Sequence, residues 1–142
     1  MKIKIKKIHP DAIIPEYQTS GAAGFDIHSI DDYTIRARDA LLIKTGLAFE
    51  LEEGFELQIR PRSGLALKHK ITVLNSPGTI DSDYRGEIMV ILYNHSSDDF
   101  VIRKGDRIAQ GVVAKYERAV FEICEELSDT KRGEGGFGSS GI

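Results

Sequence analysis

The chain has 142 residues, 41% of them hydrophobic and 29% charged, with a formal net charge of −3 and one cysteine. That is the length of one domain, and the composition excludes wholesale disorder. No apolar run is long enough to span a membrane as a helix. Nor is there the concentrated basic face that general affinity for a nucleic acid backbone requires. A chain of this size folds to a radius of gyration of roughly 14 Å, enough for a core but not for a deep pocket as well.

Lys2 to Ile8 alternates apolar and charged residues and reads as a half-buried strand, and its charges exclude the apolar stretch of a signal peptide. Leu41 to Leu51 is predicted as a second strand with a possible bulge at Gly46. Phe55 to Arg60 alternates cleanly and stops at Pro61. Ser63 to Lys70 is the one helical candidate, with Ser63 as its N-cap and Leu65 and Leu67 packing on a sheet. Ile71 to Leu74 is short and β-branched. Glu87 to Asn94 is the most apolar run and is expected to be buried on both faces. Phe100 to Ile102, Arg107 to Val113 and Val120 to Ile123 complete the strands, with turns marked by Gly54, Ser76-Pro77-Gly78, Gly86 and Gly105. Many short strands at regular spacing predict an all-β barrel or sandwich.

From Asp129 onward the chain is rich in Gly and Ser, without periodicity, and is expected to be a mobile tail. Five of the fourteen glycines fall in the last ten residues. The domain division is therefore 1–129 for the barrel and 130–142 for the tail. Cys124 has no partner or motif and reads as a buried small residue in a reducing, cytosolic protein. The four His residues lack ligand-like spacing with it, which argues against zinc.

Three segments carry candidate chemistry. Asp81-Ser82-Asp83 starts like a calcium loop, but Arg85 and Leu92 stand where that loop needs ligands. It reads either as a plain turn or as a carboxylate held on a hairpin as general base for a water. Gly136-Phe137-Gly138-Ser139-Ser140-Gly141 matches a dinucleotide fingerprint, but no helix can follow it. The glycines could wrap a phosphate with their N–H groups, Arg132 could pair with it, and Phe137 could stack on a base. Arg60-Pro61-Arg62-Ser63-Gly64 reads equally as a capped helix with solvated arginines or as an anion site.

Taken in order, five segments resemble the motifs of the trimeric dUTP pyrophosphatases (dUTPases). They are Ala23 to Ile27, Pro61 to Ala66, Gly78 to Glu87, Gly105 to Gln110 and Arg132 to Gly141. Phe25 stands where that family commonly has Tyr, and Ser140 where it commonly has Thr. The resemblance implies a jelly-roll-type β-barrel with one short helix, assembled as a homotrimer. Its active sites would be shared between subunits and closed by the C-terminal tail. The implied reaction is hydrolysis of dUTP to dUMP and pyrophosphate, with Mg²⁺ on the triphosphate, in the cytoplasm or its nuclear or viral-host equivalent. It limits uracil incorporation into DNA and supplies dUMP for dTTP synthesis. No direct nucleic-acid or membrane partner is implied.

On that resemblance Asp81 would activate the water that attacks the α-phosphorus. Tyr84 would lie under the deoxyribose and exclude a 2′-hydroxyl. Asn75, Gly78 and Ile80, on the hairpin that runs to Arg85, would read uracil. Arg62, Ser63 and Gly64, with Gln110 beside them, would hold the phosphates from another subunit. Phe137 would stack on the uracil, while Arg132, Gly138, Ser139 and Ser140 would contact substrate from the tail. No residue would bind the metal directly; Asp26 would lie near its water shell. The alternatives are dCTP deaminase, which shares the fold but needs a Glu base, and a non-catalytic nucleotide-binding or protein-interaction module. Asp81, Tyr84 and the intact tail favour the dUTPase reading.

Overall fold

The computed structural model describes residues 1–141; Ile142, the last residue of the expected tail, lies outside the described residues. The described residues form eleven strands and one helix, and every strand pair among them is antiparallel. In chain order these are β1 (Lys4–Lys7), β2 (Phe25–His28), β3 (Tyr33–Ile35), β4 (Ala40–Lys44), β5 (Leu47–Glu50) and β6 (Phe55–Arg60). Next come α1 (Ser63–His69), β7 (Ile71–Val73), β8 (Gly78–Ile80), β9 (Met89–Asn94), β10 (Phe100–Ile102) and β11 (Arg107–Lys115). The sheets run β2-β11-β6-β8 and β4-β9-β7, with the pairs β1-β5 and β10-β3 beside them. This is an all-β fold of jelly-roll type with one short helix.

The core forms where the inward residues of these sheets meet. Ile27, Ile35, Ile43, Leu57, Ile59, Ile71, Leu92 and Ile108 are almost fully buried in one cluster. Each such side chain contributes roughly 1.5–3 kcal/mol relative to exposure. Asn94, also fully buried, spends its amide donors on the carbonyls of Ile35 (3.1 Å) and Asp98 (2.7 Å). It ties β9 to β3 with its polar atoms satisfied.

Several expectations are corrected. Leu41 to Leu51 is not one bulged strand. Gly46 sits at φ 68°, ending β4 and starting β5, so β4 pairs with β9 while β5 pairs with β1. A side chain there would meet left-handed strain and put a Cβ 2.9 Å from that of His9. In the single chain β9 alternates: Val90, Leu92 and Asn94 are buried, whereas Met89, Ile91 and Tyr93 are half-buried. The helix has Arg62, not Ser63, at its N-cap, with no side-chain capping bond. Leu65 packs against the core as expected, but Leu67 is 73% exposed.

The largest departure follows β11. Val120 to Ile123 forms no strand, and Val120, Phe121, Ile123 and Leu127 are 95%, 93%, 100% and 86% exposed. Cys124, expected in the interior, is exposed on the same arm. The segment is rich in strand-forming apolar residues, but nothing among the described residues covers it.

Candidate active site

The Asn75–Tyr84 hairpin grows from the main sheet because β8 pairs with β6, Gly78 opposite Ile59 and Ile80 opposite Leu57. Asn75, Gly78, Ile80, Asp81 and Tyr84 line a cleft of about 230 Å³ whose apolar side comes from Ile59, Val73 and Val90. A turn closes the hairpin: the Tyr84 N–H donates to the Asp81 carbonyl at 3.2 Å. Arg85 latches it by donating to the carbonyls of Ser82 (2.6 Å) and Tyr84 (3.1 Å). The Tyr84 hydroxyl donates to the Glu87 carbonyl at 3.1 Å. The ring lies so close over Gly86 that any Cβ there would collide with it. Asp81 also borders a wider, polar cleft of about 650 Å³, together with Glu53, Asp83, Arg85 and Arg118. The carboxylate thus stands on the rim between a narrow half-apolar slot and an open polar space.

A second set of candidates gathers on strands β2, β11 and β6. Gln110 lies opposite Asp26 on one side and Arg60 on the other. Its amide donates to the Pro61 carbonyl at 3.0 Å. The Asp26 carboxylate accepts from Arg62 Nε at 3.0 Å and faces Arg107 Nη1 at 3.6 Å. Arg62 also donates to the Arg107 carbonyl at 3.3 Å. Ser63 and Gly64 open α1, where N–H groups have no intrahelical acceptor. Ser63 and Gln110 line a cleft with Gln58 and Pro77 that shares no lining residue with the Asn75–Tyr84 slot.

Beside the arginines lies His28, whose buried Nδ1 has no hydrogen-bond partner among the described residues. Burial holds its imidazole below the ordinary value; Asp26 opposes that shift, and the charges of Arg107 and Arg62 add to it. Neither His28 nor Arg107 was singled out from the sequence. The signal was available only for Arg107, which stands within the fourth motif two residues from Ala109 on the edge facing Asp26.

The tail is placed apart from both clefts. Arg132 donates to the Gly135 carbonyl at 2.8 Å, and Ser139 N–H donates to the Gly136 carbonyl at 2.9 Å. Phe137 is fully exposed at φ 52°, next to Gly138, and Ser140 is exposed as well. Among the described residues the tail's hydrogen bonds from Thr130 onward are to its own segment. One chain therefore brings Asn75, Gly78, Ile80, Asp81 and Tyr84 together, and separately Asp26, Arg62, Ser63 and Gln110. The two sets line different clefts that adjoin at Ser76 and Pro77 of the hairpin, and Arg132 and Phe137 line neither.

Among the described residues no group of three or more His, Cys, Asp or Glu side chains gathers as a metal cage. Asp26 Oδ1 is committed to Arg62, leaving Oδ2 as its freer oxygen. Such a donor set suits a cation that arrives on a ligand's phosphates rather than one caged by protein.

A sequence model of the dUTPase family matches residues 10–141. The deoxyuridine 5′-triphosphate nucleotidohydrolase of Helicobacter hepaticus is 63% identical over 142 residues, covering 100% of this chain and 90% of that protein. The structure is similar to that of the Staphylococcus bacteriophage 80alpha dUTPase with dUPNHPP, at a TM-score of 0.92 and 27% identity, covering 99% of each chain. It also shares the fold of a dUTPase from phage phi11 of S. aureus, described for its coordination of a structural Mg(II) ion. That match has a TM-score of 0.85 and 21% identity, over 91% of this chain and 100% of that one. Five motifs in order, an Asp-Tyr turn over a narrow slot and a family match over nearly the whole length lead to one conclusion: this chain belongs to the dUTPase family.

Proposed function

We propose that this protein hydrolyses dUTP to dUMP and pyrophosphate, with a water activated by Asp81 attacking the α-phosphorus. The observation that carries the reading is the position of Asp81, on the rim of the slot that Asn75, Gly78, Ile80 and Tyr84 line. In this reading uracil enters the slot against the hairpin's main chain and Asn75, and the deoxyribose rests on Tyr84. The water oxygen bonds to the α-phosphorus, the bond to the bridging oxygen breaks, and pyrophosphate leaves. Asp81 takes the water's proton. Little covalent chemistry falls to the protein, so positioning and charge neutralisation provide the acceleration.

Arg62, Ser63 and Gly64, with Gln110, hold the phosphates by guanidinium charge and by N–H groups that the helix leaves free. Asp26 fixes Arg62 for that task through the ion pair at 3.0 Å and has its second oxygen available to the water shell of Mg²⁺. The metal, carried on the phosphates, supplies charge neutralisation when bound. Phe137 stacks on the base, while Arg132, Gly138, Ser139 and Ser140 reach the substrate as a lid formed by residues 130–142. The product dUMP feeds dTTP synthesis, and removal of dUTP limits uracil in DNA.

The same reading makes the protein a homotrimer whose sites combine segments of different subunits. Two observations support it. Within one chain Ser63 and Gln110 line a different cleft from the Asp81 slot, and Arg62 lines a third. The arm through Val120, Phe121, Ile123 and Leu127 exposes an apolar row that needs cover from another copy. An arm laid on a neighbour carries the following tail to that neighbour's surroundings.

The test is turnover in ¹⁸O water with dUTP, UTP and dCTP. Pyrophosphate release from dUTP with the label in dUMP is expected. Label in pyrophosphate would mean attack at the β-phosphorus, and ammonia from dCTP would mean a deaminase.

A further inference from the structure

We propose that Thr45 and Glu87 are positioning residues for sugar discrimination. The corner Thr45-Gly46-Leu47 acts through Glu87 and Ile88 to fix how far Tyr84 projects into its slot. The proposal rests on the reading of Tyr84 as the contact to the deoxyribose.

Among the described residues, Tyr84 is held at its tip by one partner, the Glu87 carbonyl at 3.1 Å. Whatever holds the Glu87 peptide therefore sets the height of the ring. That peptide lies outside the sheets, since β9 begins only at Met89. Three hydrogen bonds to the corner take the place of a ladder. The Gly46 N–H donates to Glu87 Oε1 at 2.9 Å, the Thr45 hydroxyl to the Ile88 carbonyl at 2.5 Å, and the Ile88 N–H to the Leu47 carbonyl at 2.7 Å. Thr45 and Ile88 are each 1% exposed, so two of these bonds are shielded from competing water.

The corner itself cannot follow a shift of the hairpin. Gly46 is backed by His9, Ala12 and Ile30, and its carbonyl accepts the Ile8 N–H at 2.7 Å. On the other side, the ring over Gly86 has no room to sink. Tyr84 is thus clamped between a fixed corner and a glycine. Exclusion of one hydroxyl is a steric test with a tolerance below an ångström, so loosening the clamp admits ribose. Asp81 lies at the opposite end of the turn, next to Ser82, whose carbonyl Arg85 holds without any contact to the corner. The signature of the clamp is therefore lost selectivity rather than lost chemistry.

The experiment measures kcat/KM for dUTP and for UTP on full-length wild type, Thr45→Val, Glu87→Ala and Glu87→Gln, each well below its unfolding midpoint. The dUTP-to-UTP ratio is expected to fall roughly tenfold in Thr45→Val and Glu87→Ala, the scale on which a pocket discriminates one small group. It should stay within about twofold in Glu87→Gln, which keeps an oxygen for the Gly46 N–H. An unchanged ratio in folded Thr45→Val and Glu87→Ala overturns the proposal. So does an equal loss in Glu87→Gln, which would assign the effect to charge. If Glu87→Ala does not fold, Thr45→Val is read beside Tyr84→Phe, which cuts the link to Glu87; a wild-type ratio in both refutes the clamp. Wild type that fails to prefer dUTP over UTP would remove the sugar contact itself. Selectivity retained in wild type and in every variant removes only the clamp.

Discussion

Replacing Asp26 by Asn tests the ion pair that organises the phosphate-holding set. Asp26 and Arg62 have side chains only 14% and 24% exposed, with Oδ1 and Nε 3.0 Å apart. A buried pair broken on one side costs about 3–5 kcal/mol. Here Arg62 keeps some access to water and a contact to the Arg107 carbonyl, which lowers the expected cost to about 2 kcal/mol. For a domain of this length that corresponds to a fall in Tm of roughly 7 °C. The assay is thermal unfolding at fixed protomer concentration, run as a double-mutant cycle with Arg62→Met. A coupling of about 1.5 kcal/mol is expected, above the range of exposed pairs. The Lys4–Glu50 pair, with side chains 79% and 45% exposed, provides the control, and its removal should leave Tm unmoved. A coupling for Asp26 and Arg62 no larger than that of the control would refute the argument that Asp26 anchors Arg62.

Asp81→Asn should retain dUTP binding by calorimetry while kcat falls at least ~10²-fold; wild-type turnover would remove Asp81 as base. Truncation after Thr130 should leave the unfolding transition in place, because the tail's hydrogen bonds are internal to it, while dUTP turnover collapses. Full turnover by the truncated chain would end the lid reading. His28 predicts a pH effect. Burial depresses its folded value below the ordinary 6.5 of a histidine, so the unfolded chain binds the extra proton. The stability from keeping His28 neutral is complete above 6.5 and is lost as pH falls through the folded value. Wild type should therefore lose more Tm than His28→Gln between neutral pH and the acid side of that window, and parallel curves would exclude His28.

The legible parts of the fold are those where one face meets the core over several residues. Phe55 to Arg60 alternates and is β6 to the residue, and Phe100 to Ile102 is β10. The strands that escaped notice, β2, β3 and β8, are three or four residues long and contain Asp, His, Thr or Gly. Their pairing comes from distant partners rather than local propensity. Gly46 was visible as an irregularity, but only the space around its Cα decides between a bulge and a corner. At the site, the Asp81–Tyr84 turn was readable because its turn-favouring residues fall together in one segment. Thr45 and Glu87 were not, since their contacts join residues more than forty positions apart. Val120 to Ile123 shows the opposite case. Its β-branched and aromatic residues suit a strand, yet it has no ladder among the described residues.

That uncovered arm changes what a defect in this chain means. If a protomer's arm and tail serve a neighbour, a lesion at Phe137 leaves its own Asp81 slot intact and disables another's. A lesion at Asp81 leaves the tail fit to serve a healthy copy. Inheritance at the two positions is then complementary rather than additive. A population of mixed subunits contains working sites even when no single chain in it is sound. On the proposed shared-site reading, the smallest heritable unit of function would be not one folded chain but a pairing of one chain's barrel with another's last twenty residues or so.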